Sequence, residues 1–535
     1  MIFYKLLIKG VPRKFTVLLL IIFNLPIVKV KKVNRQKAFL MSKQLIFLRF
    51  CSIINLPKTN KNREKIMRIK NVQISFEDIY NQVSDSMEKQ DCKLVSLLDE
   101  HINLDELIPY EFKHAFNKRM GRARIYHLDS FLWFIILKKL FGFSQNTQML
   151  NVLRCSRELR DLCGFSKVPD PSQISRFYSD YFKYIVKMFD RLVDITEPIC
   201  RQINAKKADY LIFDTTGVEA KVSENNPKFF NAKLKQAKSL SKNNPDFNPY
   251  IAVYSSLPSE SETNSDFRHQ YVNGHFCYAL KAGIVTNALG IVRHISVFDN
   301  DFKTSRTNNP DSDKELGDSA ALKVVLSDFF HSHPNMKFST FIGDSAFDSY
   351  DNYSLLKNRF GFSRAVIPMN LRNSKTSDAL FDSDGTPVCP LDRSKFTFLG
   401  KSGGKNRSVR FKWVCPKSAV IPKSSKRICV CDSPCTQSSY GKCVYTYPDK
   451  DFRLYPGVPR NSKHWDNIYK NRVTIERTIN ILKDSFALAD NRSFKTVSLK
   501  ADLYFSGIVQ LIGVILADKL NKQHLFKSIR KLMAC

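Results

Sequence analysis

The chain has 535 residues and a formal net charge of +34, from 84 Lys and Arg residues against 50 Asp and Glu residues. With 43% hydrophobic residues it is long enough for two or three domains with large cores, which excludes a disordered tail and a collagen-like chain. The charge indicates a polyanionic partner, most often nucleic acid, and disfavours an enzyme of small neutral metabolites. A basic surface without a specific partner is the alternative.

The basic charge is densest at the N-terminus. Residues 1–66 hold fifteen Lys and Arg residues and one acid, Glu64, for a net charge of +14. Their apolar run, Val17 to Phe23, is shorter than the roughly 20 residues of a membrane span. We interpret residues 1–70 as a basic extension that arises from a start codon placed too far upstream, expect translation to begin at Met67, and expect no membrane association.

The cysteines indicate the compartment. The chain has thirteen, an odd number spread over a large protein. This disfavours a secreted disulfide framework and favours a reducing cytoplasm.

Residues 71–205 are predicted to form a helical domain that binds DNA. Apolar residues recur at helical spacing over 131–143 and 148–165. Asp170-Pro171-Ser172 then marks the start of a further helix, with Arg176 and Lys183 on its exposed side. This order suits a helix-turn-helix-like DNA reader or an ordinary helical bundle, and both alternatives remain open.

Alternating strands and helices are predicted over 206–370, the first part of an α/β core. The predicted elements, in order, are an apolar strand ending in Asp214, a long polar loop over 221–268, a hairpin formed by HFCYALKAGIVTN and GIVRHISVFDND, a helix over 318–332, a strand ending in Asp344, a helix over 351–359 and a strand over 364–368.

Residues 371–465 interrupt this alternation. They contain eighteen Lys and Arg residues against seven acids, a net charge of +11, and six of the cysteines. Residues 466–535 return to the core, with a strong helix over 466–486 and an apolar stretch over 503–520 that is most simply a core helix.

Three acids are the candidate catalytic residues. Asp214 and Asp344 each follow an apolar strand, and the ends of adjacent strands meet at one crevice of an open sheet. Glu476 lies within the helix over 466–486. Carboxylates brought together repel one another unless cations lie between them, and Mg²⁺ takes carboxylate and phosphate oxygens. Two such ions can cleave a phosphodiester.

The helix over 466–486 places cationic residues beside the third acid. Tyr469, Arg472, Glu476 and Lys483 occupy offsets 0, 3, 7 and 14, which on a regular α-helix fall within roughly 60° of arc. Arg can grip a phosphate with two hydrogen bonds, and Lys supplies a point charge. The alternative is a solvated face with i,i+4 ion pairs.

The order strand-Asp, strand-Asp, basic insertion, helix-Glu resembles the DDE transposases of bacterial insertion sequences. The spacing Y-x₂-R-x₃-E-x₆-K matches the YREK signature of one branch, and FDTTGVEA and FIGDSAFDS resemble its two Asp motifs. The segment over 127–180 resembles the helical N-terminal domain of the same enzymes. The resemblance covers roughly residues 100–520.

The resemblance implies a ribonuclease-H-like catalytic core with a helical N-terminal domain and a β-rich basic insertion before the helix of the catalytic Glu. It implies that Asp214, Asp344 and Glu476 hold two Mg²⁺ or Mn²⁺ ions, and that Tyr469, Arg472 and Lys483 bind DNA. The implied reaction is cleavage at transposon ends followed by strand transfer into target DNA. The implied partners are double-stranded terminal inverted repeats and target DNA, held by a homodimer in the bacterial cytoplasm, at the nucleoid.

The cysteines of the insertion are a candidate zinc site, because structural Zn²⁺ takes four thiolates or imidazoles. They are Cys389, Cys415, Cys429, Cys431, Cys435 and Cys443. The usual pair of CxxC motifs is absent, so buried or free thiols are the alternative.

Other functions have weaker sequence support. Five histidines form no H-x₃-H or HExxH array and are predicted to be structural or to contact DNA, not to bind a metal: His275, His294, His331, His333 and His464. No phosphate-binding or dinucleotide Gly motif is present. A nuclease on the same core and a non-catalytic DNA-binding protein derived from a transposase remain the alternatives to a transposase.

Overall fold

The computed structural model describes residues 93–117, 124–241, 248–272, 275–304, 317–370, 380–382, 384–404, 407–422, 424, 426–460 and 462–534. The predicted extension over 1–70 and the expected start at Met67 lie outside these residues.

Helices make up most of the described residues between 93 and 208, as predicted for this part of the chain. They are α1 Lys93–His101, α2 Leu104–Leu107, α3 Tyr110–Asn117, α4 Leu128–Leu140, α5 Asn146–Cys155, α6 Arg157–Leu162 and α7 Pro171–Ala208. The long helix α7 starts at the predicted signal: Asp170 caps it by accepting a hydrogen bond from the Ser172 N–H at 2.9 Å. Arg176 and Lys183 are exposed on α7, also as predicted.

The polar segment over 221–268 was predicted to be a loop, and this prediction is wrong. Two helices occupy much of it: α8 Pro227–Ser241 and α9 Pro249–Ser256. Leu234 and Ala237 of α8 pack against Val253 of α9, with Phe230 beside them. Three apolar residues at helical spacing are enough for a small core when the other positions are exposed, so the polar composition concealed the helix.

The core contains one six-stranded mixed sheet. Its strands are β1 Tyr210–Glu219, β2 Arg268–Val272, β3 His275–Asn287, β4 Val292–Val297, β5 Thr340–Ile342 and β6 Arg364–Val366. The order is β2-β3-β1-β5-β6, and β4 also pairs with β3. The predicted hairpin is the antiparallel pair β3–β4, whereas β5 runs parallel to β1 and β6 parallel to β5.

Short helices connect the strands of this sheet. They are α10 Asn300–Thr304, α11 Asp318–Ser332 and α12 Tyr350–Ser354, the last of which continues as a π-helical turn over Leu355–Arg359. The bounds of α11 agree with the predicted helix over 318–332, and α12 with its π turn fills the helix predicted over 351–359.

The insertion is rich in β-structure. Strands β7 Thr397–Gly404, β8 Arg407–Val414 and β11 Cys443–Thr446 form a sheet in the order β11-β8-β7, while β9 Ser418–Val420 pairs with β10 Arg427–Cys429. A separate small core lies beneath them, formed by Cys389, Phe396, Phe411, Trp413, Cys415 and Tyr455.

The chain ends in helices that pack on the core. They are α13 Lys463–Tyr469, α14 Val473–Asn480, α15 Thr496–Lys519 and α16 Ile529–Ala534. Among the described residues α15 is the one helix with the length and apolar composition to cross a membrane, but 94% of its most apolar window is buried inside the protein. It is therefore a core helix, as the sequence predicted.

Candidate active site

Asp214 lies within β1, just beyond its parallel pairing with β5. The pairing runs from Tyr210 with Thr340 to Ile212 with Ile342. Asp214 follows Ile212 by two residues and is half-buried, whereas the strand continues to Glu219 through its pairing with β3. The sequence therefore located the end of the apolar run correctly, but the strand itself extends five residues past the acid.

Asp344 occupies the matching position on the neighbouring strand. It follows Ile342, the last residue of β5, by two residues, as Asp214 follows Ile212. Its carboxylate caps a short 3₁₀ turn by accepting the Ala346 N–H at 2.9 Å. Because β1 and β5 are parallel and in register, the two acids lie at the same edge of the sheet.

Glu476 reaches the same edge from a helical segment. A 3₁₀ turn over Lys470–Arg472 joins α13 to α14, which carries Glu476. Arg472 Nη1 contacts Glu476 Oε1 at 2.7 Å, one helical turn apart. Arg472 Nη2 lies 3.6 Å from Asp214 Oδ2 and 3.7 Å from Asp344 Oδ2. Three acids that are up to 262 positions apart in sequence thus surround one guanidinium.

The composition of this group suits a divalent cation, although the donor oxygens of the three acids do not all lie within 4.8 Å of one another and would have to close around an ion. Three carboxylates supply only oxygen donors, which hard cations such as Mg²⁺ and Mn²⁺ prefer. Their side chains keep 20%, 34% and 48% of their surface exposed for Asp214, Asp344 and Glu476, so ions and a phosphate can reach them. The three carboxylates repel one another at this edge of the sheet, and cations bound between them would reduce the repulsion.

Tyr469 borders this group of acids. Burial raises the pKa of its hydroxyl; Arg472 opposes the shift, and Asp344, Glu476 and Asp214 add to it. The electrostatic influence of all three acids places the half-buried Tyr469 beside them, where the sequence predicted it.

Lys483 does not share this exposed face. A π-helical turn over Ile481–Ser485 follows α14, and Lys483 is buried within it, with 7% of its surface exposed. Burial lowers its pKa, while Asp484 and the nearby Cys277 oppose this. The single stripe predicted over offsets 0 to 14 assumed a uniform α-helix and is wrong at its end, because a π turn adds about one residue per turn. A DNA contact of Lys483 stays a prediction.

The six cysteines of the insertion lie near one another without forming a compact ligand set. Burial raises the pKa of the Cys415 thiol; the backbone at Lys417 opposes the shift, and the nearby Cys389, Cys429 and Cys431 add to it. Burial and the nearby Cys389 likewise raise the pKa of the Cys435 thiol. A metal site needs at least three donor atoms close together. Among the described residues, no three of these cysteines have their sulfur atoms within 4.8 Å of one another. The insertion zinc site stays a prediction.

One residue pair near the acids was missed by the sequence analysis. Asp348, four residues after Asp344, is fully buried and accepts hydrogen bonds from Arg453 Nε at 3.0 Å and Nη2 at 2.7 Å. Arg453 belongs to the insertion, so this ion pair fastens the loop after Asp344 to the inserted segment. An acid and an arginine 105 positions apart carry no spacing signal that marks them as partners.

Comparison with known proteins adds information about the N-terminal helices. Residues 82–180 match the family model described as a transposase domain (DUF772). This part of the chain is similar to a transposase domain. The match ends before Asp214, the first candidate acid, and lies inside the helical region predicted to bind DNA. It supports a transposase function for the chain.

Two further comparisons add little. A search of curated proteins finds no match. Among solved structures, the chain is similar to the piggyBac transposase in a synaptic complex with hairpin DNA, determined by cryo-EM. The identity is 12%, the alignment covers 83% of this chain and 78% of that chain, and the TM-score is 0.34, too low to establish a shared fold.

Proposed function

We propose that this chain is a DDE-type DNA transposase that cleaves DNA at transposon ends and transfers the freed strand into target DNA. The observation that carries the proposal is the convergence of Asp214, Asp344 and Glu476 on the Arg472 guanidinium. The transposase-domain match over 82–180 supports the same class, as does the net charge of +34.

The proposal assigns the mixed sheet to the ribonuclease-H-like class. Two acids lie at equivalent positions past adjacent parallel strands, and the third comes from a helical segment separated from them by the basic insertion. This matches the order of elements on which the sequence resemblance rests.

Each residue of the site has a role in the proposed reaction. Asp214, Asp344 and Glu476 would hold two Mg²⁺ or Mn²⁺ ions, which when bound activate the attacking water or 3′-hydroxyl and stabilise the leaving oxygen. Arg472 offsets part of the negative charge of the acids, and when ions take its place among them its two Nη atoms would hold a DNA phosphate. Tyr469 would donate its hydroxyl to the DNA backbone.

The proposed partner is double-stranded DNA, both the terminal repeats and the target. The basic insertion supplies a surface for phosphates, with exposed Lys401 on β7 and half-buried Arg410 on β8. A homodimer in the DNA complex and a place in the bacterial cytoplasm, at the nucleoid, complete the proposal.

Strand cleavage tests this function directly. The purified chain is incubated with DNA from either side of its own gene, with and without Mg²⁺. We expect Mg²⁺-dependent nicking, lowered at least about 100-fold by Asp214→Asn, Asp344→Asn and Glu476→Gln, because each change removes one cation ligand. DNA binding should persist. Asp466→Asn is the matched control, an exposed acid of α13 ten residues before Glu476.

The products separate the alternatives. Joining of the cut end to a second DNA identifies a transposase, whereas cutting without joining identifies a nuclease. DNA binding without Mg²⁺-dependent cutting identifies a non-catalytic DNA-binding protein. Cutting by all three variants at the wild-type rate would refute the assignment of the acids.

A further inference from the structure

A second group of metal-ligating side chains lies on the central sheet. Glu219 is the last residue of β1 and His275 is the first residue of β3, with Cys277 two positions further along. The carboxylate, imidazole and thiol donor atoms all lie within 4.8 Å of one another. In the register of the sheet Glu219 pairs with Ala279, and residues 275, 277 and 279 share one face of β3.

This group is separate from the three acids of the candidate active site. Glu219 follows Asp214 by five residues on a strand whose pairing with β3 shows no register shift, so the two lie about 16 Å apart along β1. An odd separation also places their side chains on opposite faces of the sheet.

The geometry fits a tetrahedral metal centre. His275 Nε2 lies 3.4 Å from Glu219 Oε2. Zn–N and Zn–O bonds of about 2.0–2.2 Å at a tetrahedral angle place two donor atoms about 3.3–3.5 Å apart. These two ligands therefore already have the spacing that a shared ion requires, and the Cys277 thiol lies within 4.8 Å of both of them.

The surroundings of the group favour ion binding. Cys277 is 4% exposed and packs with Val272 and Ala279, which form an apolar floor, while the carboxylate and imidazole remain open to solvent at 39% and 52%.

We propose that Glu219, His275 and Cys277 form a Zn²⁺ site with three protein ligands. One thiol, one imidazole and one carboxylate suit Zn²⁺, whereas the oxygen-only set at Asp214, Asp344 and Glu476 suits Mg²⁺. Three protein ligands leave a fourth position for water or an oxygen of a bound molecule.

A metal at this position would act as a clip between two strands. It would link the side chain of Glu219, at the end of β1, to those of His275 and Cys277, at the start of β3, two strands that already pair through their backbones. An ion that binds only the folded chain stabilises it by mass action, so the free energy of unfolding should rise with the Zn²⁺ concentration. The proposal does not depend on the transposase function.

Zinc content tests the proposal. The full chain is saturated with Zn²⁺, desalted and analysed for metal, beside Cys277→Ser and His275→Ala. Each variant should carry one ion fewer per chain than the wild type, and its residual Zn²⁺ affinity at this site should fall at least about tenfold. His275→Ala alters a half-exposed side chain, so it keeps the test valid if Cys277→Ser disturbs folding.

Matched controls separate this site from other thiols and imidazoles. Cys155→Ser and His331→Ala change exposed residues outside the group and should leave the zinc content unchanged. Ions held by the cysteines of the insertion would remain in every variant, because the measured quantity is a difference from the wild type. An equal zinc content in the wild type and both site variants would overturn the proposal.

Discussion

Two groups of charged side chains in this molecule have inverse compositions. At the edge of the sheet one cation, Arg472, is surrounded by three acids. In the helical core one acid, Asp502 of α15, lies between two cations of α4: Lys138 Nζ is 3.0 Å from Asp502 Oδ1 and Lys139 Nζ is 2.5 Å from Oδ2.

Burial makes the two groups respond differently. The side chains around Arg472 are 20–48% exposed, whereas those around Asp502 are at most 3% exposed. Burial alone would raise the pKa of Asp502, but Lys138 and Lys139 outweigh it and lower the pKa. Burial lowers the pKa of Lys139 to about 8, with Lys138 adding to the shift and Asp502 opposing it.

The comparison shows that an exposed group of charges can bind ligands, whereas a buried one can only stabilise the fold. In the exposed group, metal ions can replace Arg472 beside the three acids, and Arg472 can then bind a phosphate, with little loss of folding stability. The buried group cannot exchange anything, since each member lacks access to water. Asp502 also accepts a hydrogen bond from Asn491, and Lys139 donates one to the Phe486 carbonyl, just past the helical segment that carries Glu476. The buried group therefore supports the position of the exposed one.

The largest expected effect is on the buried group. Asp502→Asn leaves two buried ammonium groups without a counter-charge, and we expect a loss of about 3–5 kcal/mol in the free energy of unfolding. Asp344→Asn, the exposed counterpart, should change it by no more than about 0.5 kcal/mol. Urea denaturation followed by circular dichroism measures both. If both variants lose the same free energy of unfolding, the difference in solvent exposure does not explain how the two groups contribute to stability.

A smaller effect is expected from pH. Folded Lys139 releases its proton near pH 8, whereas in the unfolded chain it does so near 10.5. The unfolded state therefore binds more protons between these values, and this residue's contribution to stability rises with pH by about 1.4 kcal/mol per unit.

The Lys139→Met variant isolates this contribution. The unfolding free energy of the wild type minus that of the variant, measured from pH 8.5 to 10, should rise steadily as pH rises. A constant difference between the two proteins over this range would contradict the lowered pKa.

The smallest effect concerns Arg472. Arg472→Ala removes the cation that competes with metal for the three acids, so Mg²⁺ should bind about two- to fivefold more tightly, the equivalent of an exposed ion pair. Strand cleavage should nevertheless fall, because the guanidinium no longer holds the phosphate. Calorimetric titration with Mg²⁺ measures the affinity, and Arg477→Ala, an exposed arginine of α14, serves as control. Weaker Mg²⁺ binding would mean that Arg472 organises the acids.

Sequence patterns predicted the features that depend on local order. The cap at Asp170, the β3–β4 hairpin, the core helix α15 and the strand positions of Asp214 and Asp344 follow from short runs of residues, and the structure has each of them. The position of Glu476 in a helical segment was also predictable from a short run of residues.

Long-range pairing was not predictable in this way. Asp502 with Lys138 and Lys139 joins residues over 360 positions apart, and an acid within an apolar helix gives no sign of its partner. Glu219 and His275 lie on strands β1 and β3, which are separated in sequence by α8, α9 and β2. No local spacing marks them as partners, so His275 was predicted to be structural or to contact DNA. The π turn at Lys483 likewise depends on how its helix packs. A prediction that assumes the regular period of an α-helix cannot detect it.

The buried pair Asp348–Arg453 bears on how the basic insertion can be exchanged. An engineer who replaced residues 371–465 with a short linker would remove Arg453 and leave a fully buried carboxylate four residues from Asp344. Such a deletion would strain the loop that presents the second acid, whatever the insertion itself does. The insertion therefore cannot be removed without affecting the candidate active site. A chimaera that keeps this site must retain an arginine at the position of Arg453, or carry Asp348→Asn so that no buried charge is left.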